Sequence, residues 1–113
     1  MKIDLKYLTE ICDGDRDVIT EMIDLFEVQV SEIIEEMQKA ELESDYDTLS
    51  NIAHKAKSSA AIMGMHMLSE KLKELELLSK NKSNPEKYKE YVDLFIQESN
   101  IAIKELTEYK STL

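Results

Sequence analysis

Leu49-Ser50-Asn51-Ile52-Ala53-His54-Lys55-Ala56-Lys57-Ser58-Ser59-Ala60-Ala61-Ile62-Met63-Gly64 has the pattern of one amphipathic helix. Apolar and small side chains recur in it at the i, i+3, i+4, i+7 spacing of a buried helical stripe. The stripe consists of Leu49, Ile52, Ala53, Ala56, Ala60 and Met63. With roughly 100° between successive residues, His54 lies about 140° from the centre of that stripe. The pattern therefore predicts a helix that packs along one face and presents an imidazole to solvent on the other.

Three further residues share the exposed face with His54. Lys57 follows one turn later on the same side, and Ser58 and Ala61 continue the face with small side chains. A ring that lies in solvent, beside a cation and above small residues, is accessible to a large partner. This arrangement favours a histidine that another protein modifies chemically.

Similar patterns predict the other helices. A capping carboxylate precedes two of them and also the His54 helix: Asp4 before residues 5–11, Asp15 before a long helix to about Glu41, and Asp45 before the His54 helix. The Asp13-Gly14 pair forms a turn, and a fourth helix spans about His66 to Ser79. In the last helix, Asn84 is the predicted N-cap and Pro85 the first helical residue.

The predicted core residues of these helices follow the same spacing. They are Ile19, Met22, Ile23, Phe26, Val30, Ile33, Ile34 and Met37, then Leu68, Leu72, Leu75 and Leu78, then Tyr88, Val92, Phe95, Ser99, Ala102, Leu106 and Tyr109. Four long helices joined by short loops predict an all-α, antiparallel up-and-down four-helix bundle. The short additional N-terminal helix is expected to cover one end.

The His54 segment resembles the signature of histidine-containing phosphotransfer (HPt) domains, which runs H-x-L-K-G and reaches a further glycine. His54, Lys57 and Gly64 match that signature. Ala56 and Ser58 stand where the family usually has leucine and glycine. The resemblance covers about residues 3–80, because the order of a short helix, a glycine-aspartate turn and a long helix with a phenylalanine is also similar.

The resemblance implies that His54 accepts a phosphoryl group from the aspartyl-phosphate of a response-regulator receiver domain and passes it to another receiver. Lys57 and Ser58 would stabilise the phosphate, and Gly64 would form a structural turn. A hybrid sensor histidine kinase is a further candidate partner. The chain would be a phosphocarrier and not an enzyme, without a cofactor of its own, while the receiver would bring Mg²⁺.

Exposed apolar residues suggest where a partner docks. Leu25 and Val28 lie off the core stripe of the long helix, and Met65 lies near the His54 face. With Lys55 and Ala61, they are the predicted partner-docking residues. Scattered surface side chains are the alternative interpretation of the same residues.

Composition and charge restrict the class of protein. A chain of 113 residues, 42% of them hydrophobic, is expected to form a single domain over 1–113 and a monomer. A net charge of −10 argues against nucleic acid as a partner. The sequence contains no apolar run that predicts a membrane contact or a signal peptide. The single Cys12 is consistent with a reducing, cytoplasmic location.

Two other functions fit parts of the sequence. An acidic helical interaction module could bind and inhibit a kinase or receiver without carrying phosphate, although such a module does not need His54 together with Lys57. His66 with the neighbouring thioethers of Met63, Met65 and Met67 could form a soft-ligand site for cuprous ion. Because Met63 belongs to the core stripe and Met67 is expected in the core, we expect no metal site.

Overall fold

The computed structural model describes residues 3–113, in which every regular element is helical. The elements are α1 (Leu5–Ile11), α2 (Arg16–Leu42), α3 (Tyr46–Ile62), α4 (His66–Lys80), a 3₁₀ turn (Pro85–Lys87) and α5 (Tyr88–Lys110). Consecutive long helices are antiparallel, since short loops join them. They close a ring in which α2 contacts α3, α3 contacts α4, α4 contacts α5 and α5 contacts α2. The predicted all-α four-helix bundle is confirmed.

Carboxylate side chains begin three helices, as predicted. Asp4, Asp15 and Asp45 each accept hydrogen bonds from backbone N–H groups of the first turn that follows. Asn84 takes the predicted N-cap position and Pro85 the first position after it, but of the 3₁₀ turn that precedes α5. The Asn84 side chain makes no capping hydrogen bond, and its backbone is left-handed, at φ 50°, whereas a capping side chain usually needs an extended backbone.

The predicted stripes form the core of the bundle. Met22, Ile34, Leu78 and Tyr109 are partly buried at the edges of these stripes, and the other predicted core residues are buried. Met67 was expected in the core, but it is 66% exposed because the inward face of α4 begins one residue later, at Leu68. No helix in the described part of the chain is long and apolar enough to cross a bilayer.

The segment around α1 covers one end of the bundle, where α3 turns into α4 and α5 ends. The Asp4 N–H donates to the Met63 carbonyl at 3.3 Å, and the Thr9 hydroxyl lies 3.4 Å from the Tyr109 hydroxyl. Gly64 makes the turn after α3 with φ +76° and lies against Asp4. A Cβ atom at Gly64 would lie 2.9 Å from the Asp4 backbone nitrogen, so the turn has no room for a side chain.

Candidate functional site

The imidazole of His54 stands on the outer face of α3, where 62% of its side chain is exposed. The opposite face of the helix is fixed in the core through Ala53 and Ala56, which are completely buried. Lys57 lies one turn further along on the same side as His54, with 25% of its side chain exposed. The helix that carries these residues therefore holds the ring on a rigid element while leaving it open to solvent.

A carboxylate on α4 joins the two side chains. Glu76 Oε2 lies 3.0 Å from His54 Nδ1, and Lys57 Nζ donates to Glu76 Oε1 at 2.9 Å. Burial by itself would raise the pKa of Glu76, but the hydrogen bonds from Lys57 and His54 outweigh it and lower that pKa below 4.5. Glu76 is consequently ionised at neutral pH.

The charge of Glu76 fixes the protonation pattern of the histidine ring. An ionised carboxylate only accepts hydrogen bonds, so the proton of the shared bond belongs to His54 Nδ1. In the neutral ring, the lone pair is then on Nε2. The site therefore leaves one defined ring nitrogen, Nε2, without a hydrogen-bond partner among the described contacts when the ring is neutral.

Two serine side chains set the register between α3 and α4. The Ser50 hydroxyl donates to the Glu76 carbonyl at 2.9 Å, and the Ser69 hydroxyl donates to the Lys57 carbonyl at 3.1 Å. Each bond runs from one helix to the backbone of the other. Together they place Glu76 opposite His54.

The remaining residues predicted at the site lie along α3. Ser58 is exposed, and its hydroxyl donates to the His54 carbonyl at 3.3 Å. Lys55 is exposed and Ala61 is partly buried. These positions continue the surface around His54 without closing it off.

The predicted docking residues fall into two groups. Leu25 and Val28 on α2 are 51% and 56% exposed, and a shallow groove next to Leu25 runs to Ile62 on α3. Met65 is completely buried, so its assignment as a docking residue is wrong. The face of α3 does not extend to Met65, because the helix ends at Ile62 and the left-handed Gly64 redirects the chain.

The methionines near His66 do not form one cluster with its ring. Met63 and Met65 are buried, whereas Met67 is exposed. The His66 ring packs edge-on against Tyr7, with ring centroids 5.5 Å apart. Within residues 3–113, no group of three or more histidine, cysteine, aspartate or glutamate side chains is placed to hold a metal ion.

Glu76 was not recognised from the sequence, although a signal for it exists. It follows Leu75 of the buried stripe, so it lies at the edge of the helix that pairs with α3. A carboxylate at such an edge can reach a lysine on the antiparallel neighbour. Which side chains of α3 meet the Glu76 carboxylate depends on the register between α3 and α4. The sequence pattern does not specify that register, so it does not show that the partners are His54 and Lys57.

Comparison with known proteins agrees with this geometry. The family model of the Hpt domain matches residues 21–108, which include His54, Lys57 and Glu76. Among solved structures, the crystal structure of histidine-containing phosphotransfer protein B (HptB) from Pseudomonas aeruginosa PAO1 is similar, with a TM-score of 0.87 and 19% sequence identity. That alignment covers 98% of this chain and 96% of the other, and shows a shared fold. No protein with a curated description matches the sequence significantly. Because the family model spans most of its length, the chain belongs to the Hpt domain family of histidine phosphotransfer modules.

Proposed function

We propose that this chain is a phosphorelay intermediate that carries a phosphoryl group on Nε2 of His54. The observation that supports this most strongly is the bond between Glu76 Oε2 and His54 Nδ1 on a ring that is otherwise exposed. It leaves Nε2 as the free nucleophile, at a position that a second protein can reach. Membership of the Hpt domain family supports the same function.

In the accepting step, Nε2 attacks the phosphorus of an aspartyl-phosphate on a receiver domain. The bond between phosphorus and the aspartate oxygen breaks, and its electron pair returns to the carboxylate. Lys57 and His54 both form hydrogen bonds with the Glu76 carboxylate, so the Lys57 ammonium lies near the ring. It can turn towards the phosphate on His54 and neutralise part of its charge. Transfer to another receiver reverses these steps.

The partner domain supplies the rest of the chemistry in this proposal. A receiver's acidic pocket and its Mg²⁺ would stabilise the spread charge of the loose transition state. The chain would therefore act as substrate and donor and not as an enzyme by itself. Its own contribution is a preset nucleophile on a rigid helix.

The test is phosphoryl transfer from a phosphorylated receiver domain to the chain and to two matched histidine variants. We expect acid-labile, base-stable phosphate on the parent chain and on His66→Gln, but none on His54→Gln. Both histidines are exposed, so His54→Gln should change the free energy of unfolding by no more than about 0.5 kcal/mol. His66→Gln also loses the edge-on contact with Tyr7, and its loss should be about 1 kcal/mol.

The outcomes separate this function from the alternative of an inhibitory module. Label that persists in His54→Gln, or that disappears in His66→Gln, contradicts the assignment of His54. A receiver or kinase that binds the parent chain tightly without transferring phosphate identifies an interaction module instead.

A further inference from the structure

After phosphorylation, Glu76 would face a ring that carries the phosphoryl group on the opposite nitrogen. We propose that Glu76 keeps the proton on Nδ1 of phosphorylated His54 and thereby keeps the phosphoryl group transferable. This rests on the proposed function, because it concerns the donor step of the same histidine. Glu76 acts here as a positioning residue, since it touches the ring but not the transferred group.

The Nδ1 proton decides what leaves when the N–P bond breaks. The electron pair of that bond goes to Nε2, and phosphorus bonds to a carboxylate oxygen of the receiver's aspartate. With the Nδ1 proton in place, the product is a neutral imidazole, identical to the resting ring. Without it, the product is an imidazolate anion, which is a far poorer leaving group. No proton has to move during the step in the first case.

The geometry of the site favours the protonated ring. Glu76 Oε2 is 3.0 Å from Nδ1, so loss of the proton would set a carboxylate lone pair against a nitrogen lone pair. The Ser50 hydroxyl fixes the backbone of Glu76 at this level of α3, so the carboxylate stays within reach of Nδ1 even when Lys57 turns towards the phosphate. An amide at this position would behave differently, since rotation of its end offers an N–H to the bare nitrogen.

The neighbouring charges do not replace this effect. The charged groups that neighbour the ring or its carboxylate along α3 and α4 are Glu76, Lys57, Lys55, Asp47, Lys73 and Lys80. Asp47 and Lys80 line the polar cleft at the Glu76 side and carry opposite charges. From α2, the described contact to this part of α3 is neutral, between Gln29 and Ser59. Glu76 is the only anion among these groups in hydrogen-bond contact with the ring.

The experiment compares the parent chain with Glu76→Gln, which preserves the size of the side chain. Both are phosphorylated with phosphoramidate, and transfer to a receiver domain is followed between about pH 6 and about pH 9. We expect the rate of the variant to fall as the ring loses its proton, while the parent rate stays level for at least about one further pH unit. Above the variant's midpoint, the variant should be about tenfold slower than the parent chain.

Lys57→Gln is the matched control, because Glu76→Gln also frees Lys57. Without the Lys57 ammonium, the phosphorylated ring keeps its Nδ1 proton more easily. The decline of the transfer rate should therefore move to higher pH in Lys57→Gln, opposite to the effect of Glu76→Gln. A second measurement needs no variant: ¹⁵N NMR of the phosphorylated parent chain should show Nδ1 protonated at about pH 8.

Identical pH profiles for the parent chain and a folded Glu76→Gln variant would overturn the proposal. So would an unprotonated Nδ1 in the phosphorylated parent chain at about pH 8. If the Glu76→Gln variant does not fold, this NMR measurement on the parent chain alone tests the proposal. Absence of phosphate on His54 in the parent chain overturns the proposed function instead.

Discussion

Lys57 is bound by Glu76 in the unphosphorylated chain, whereas the resemblance to HPt domains predicts that it stabilises the phosphate. Lys57→Ala should therefore have two effects. Transfer should slow about tenfold or somewhat more, because a charge-assisted hydrogen bond contributes roughly 1.5–3 kcal/mol. The free energy of unfolding should fall by about 1 kcal/mol, since the partly buried Glu76 carboxylate loses its strongest donor. Rapid-quench kinetics and urea titration measure the two quantities.

Lys55→Ala is the control for this prediction, because it removes an exposed lysine from the same helix. We expect little change in stability from it. If Lys57→Ala transfers at the parent rate, Lys57 serves only the ion pair with Glu76.

The lowered pKa of Glu76 also predicts how stability depends on pH. A carboxyl group whose pKa is depressed in the folded chain stabilises the fold above its unfolded value, near 4.5, and this contribution is lost as the pH falls through the folded value. The stability difference between the parent chain and Glu76→Gln should therefore shrink below about pH 4.5. Thermal melting of both proteins at several acidic pH values measures it. A difference that stays constant on acidification would mean that the ion pair does not lower the pKa of Glu76 in solution.

At the scale of the helices, the turn at Gly64 couples α1 to the bundle. Gly64→Ala places a methyl group against Asp4 in a backbone with φ +76°, so either the turn or the start of α1 must move. We expect a loss of about 2–3 kcal/mol and faster hydrogen exchange in α1. Gly14→Ala is a matched control, because φ is +70° there but no atom lies within 4 Å of the added methyl group. Its loss should be about 1 kcal/mol. Equal losses for the two variants would show that the contact with Asp4 contributes nothing.

Local rules predicted most of the helices and part of the site. Asp4, Asp15 and Asp45 begin helices because a cap depends only on the next few residues. The exposure of His54 followed from helical periodicity within α3. Met65 and Glu76 were not predicted correctly, because one depends on the redirection of the chain at Gly64 and the other on the register between two helices.

At the scale of the whole molecule, charge is unevenly distributed. The chain has a net charge of −10, yet residues 48–69 contain lysine and histidine but no aspartate or glutamate. The outer face of α3 is therefore a side that an acidic receiver pocket can approach without meeting carboxylates of that helix segment. The exposed Leu25 and Val28 add apolar surface on the neighbouring α2.

This distribution predicts that a bulky residue near His54 blocks docking. Ser58→Tyr should weaken receiver binding strongly while leaving the melting temperature unchanged, because Ser58 is exposed and contributes nothing to the core. Asn100→Tyr, an exposed position on α5, is the matched control and should bind like the parent chain. Calorimetric titration with a receiver domain measures both. Unimpaired binding by Ser58→Tyr would move the docking surface away from α3.

The hydrogen bond between His54 and Glu76 spans only 22 residues of chain, within one hairpin of consecutive helices. By contrast, the ion pair between Lys110 and Asp24, which ties α5 to α2, spans 86 residues. Contacts between near neighbours in sequence form faster, since closing a short loop costs less entropy. The reactive ring and the carboxylate that orients it should accordingly come together early in folding, before the two ends of the chain meet. If the contacts between α5 and α2 form late or open transiently, the hydrogen bond between Glu76 and His54 should then remain in place.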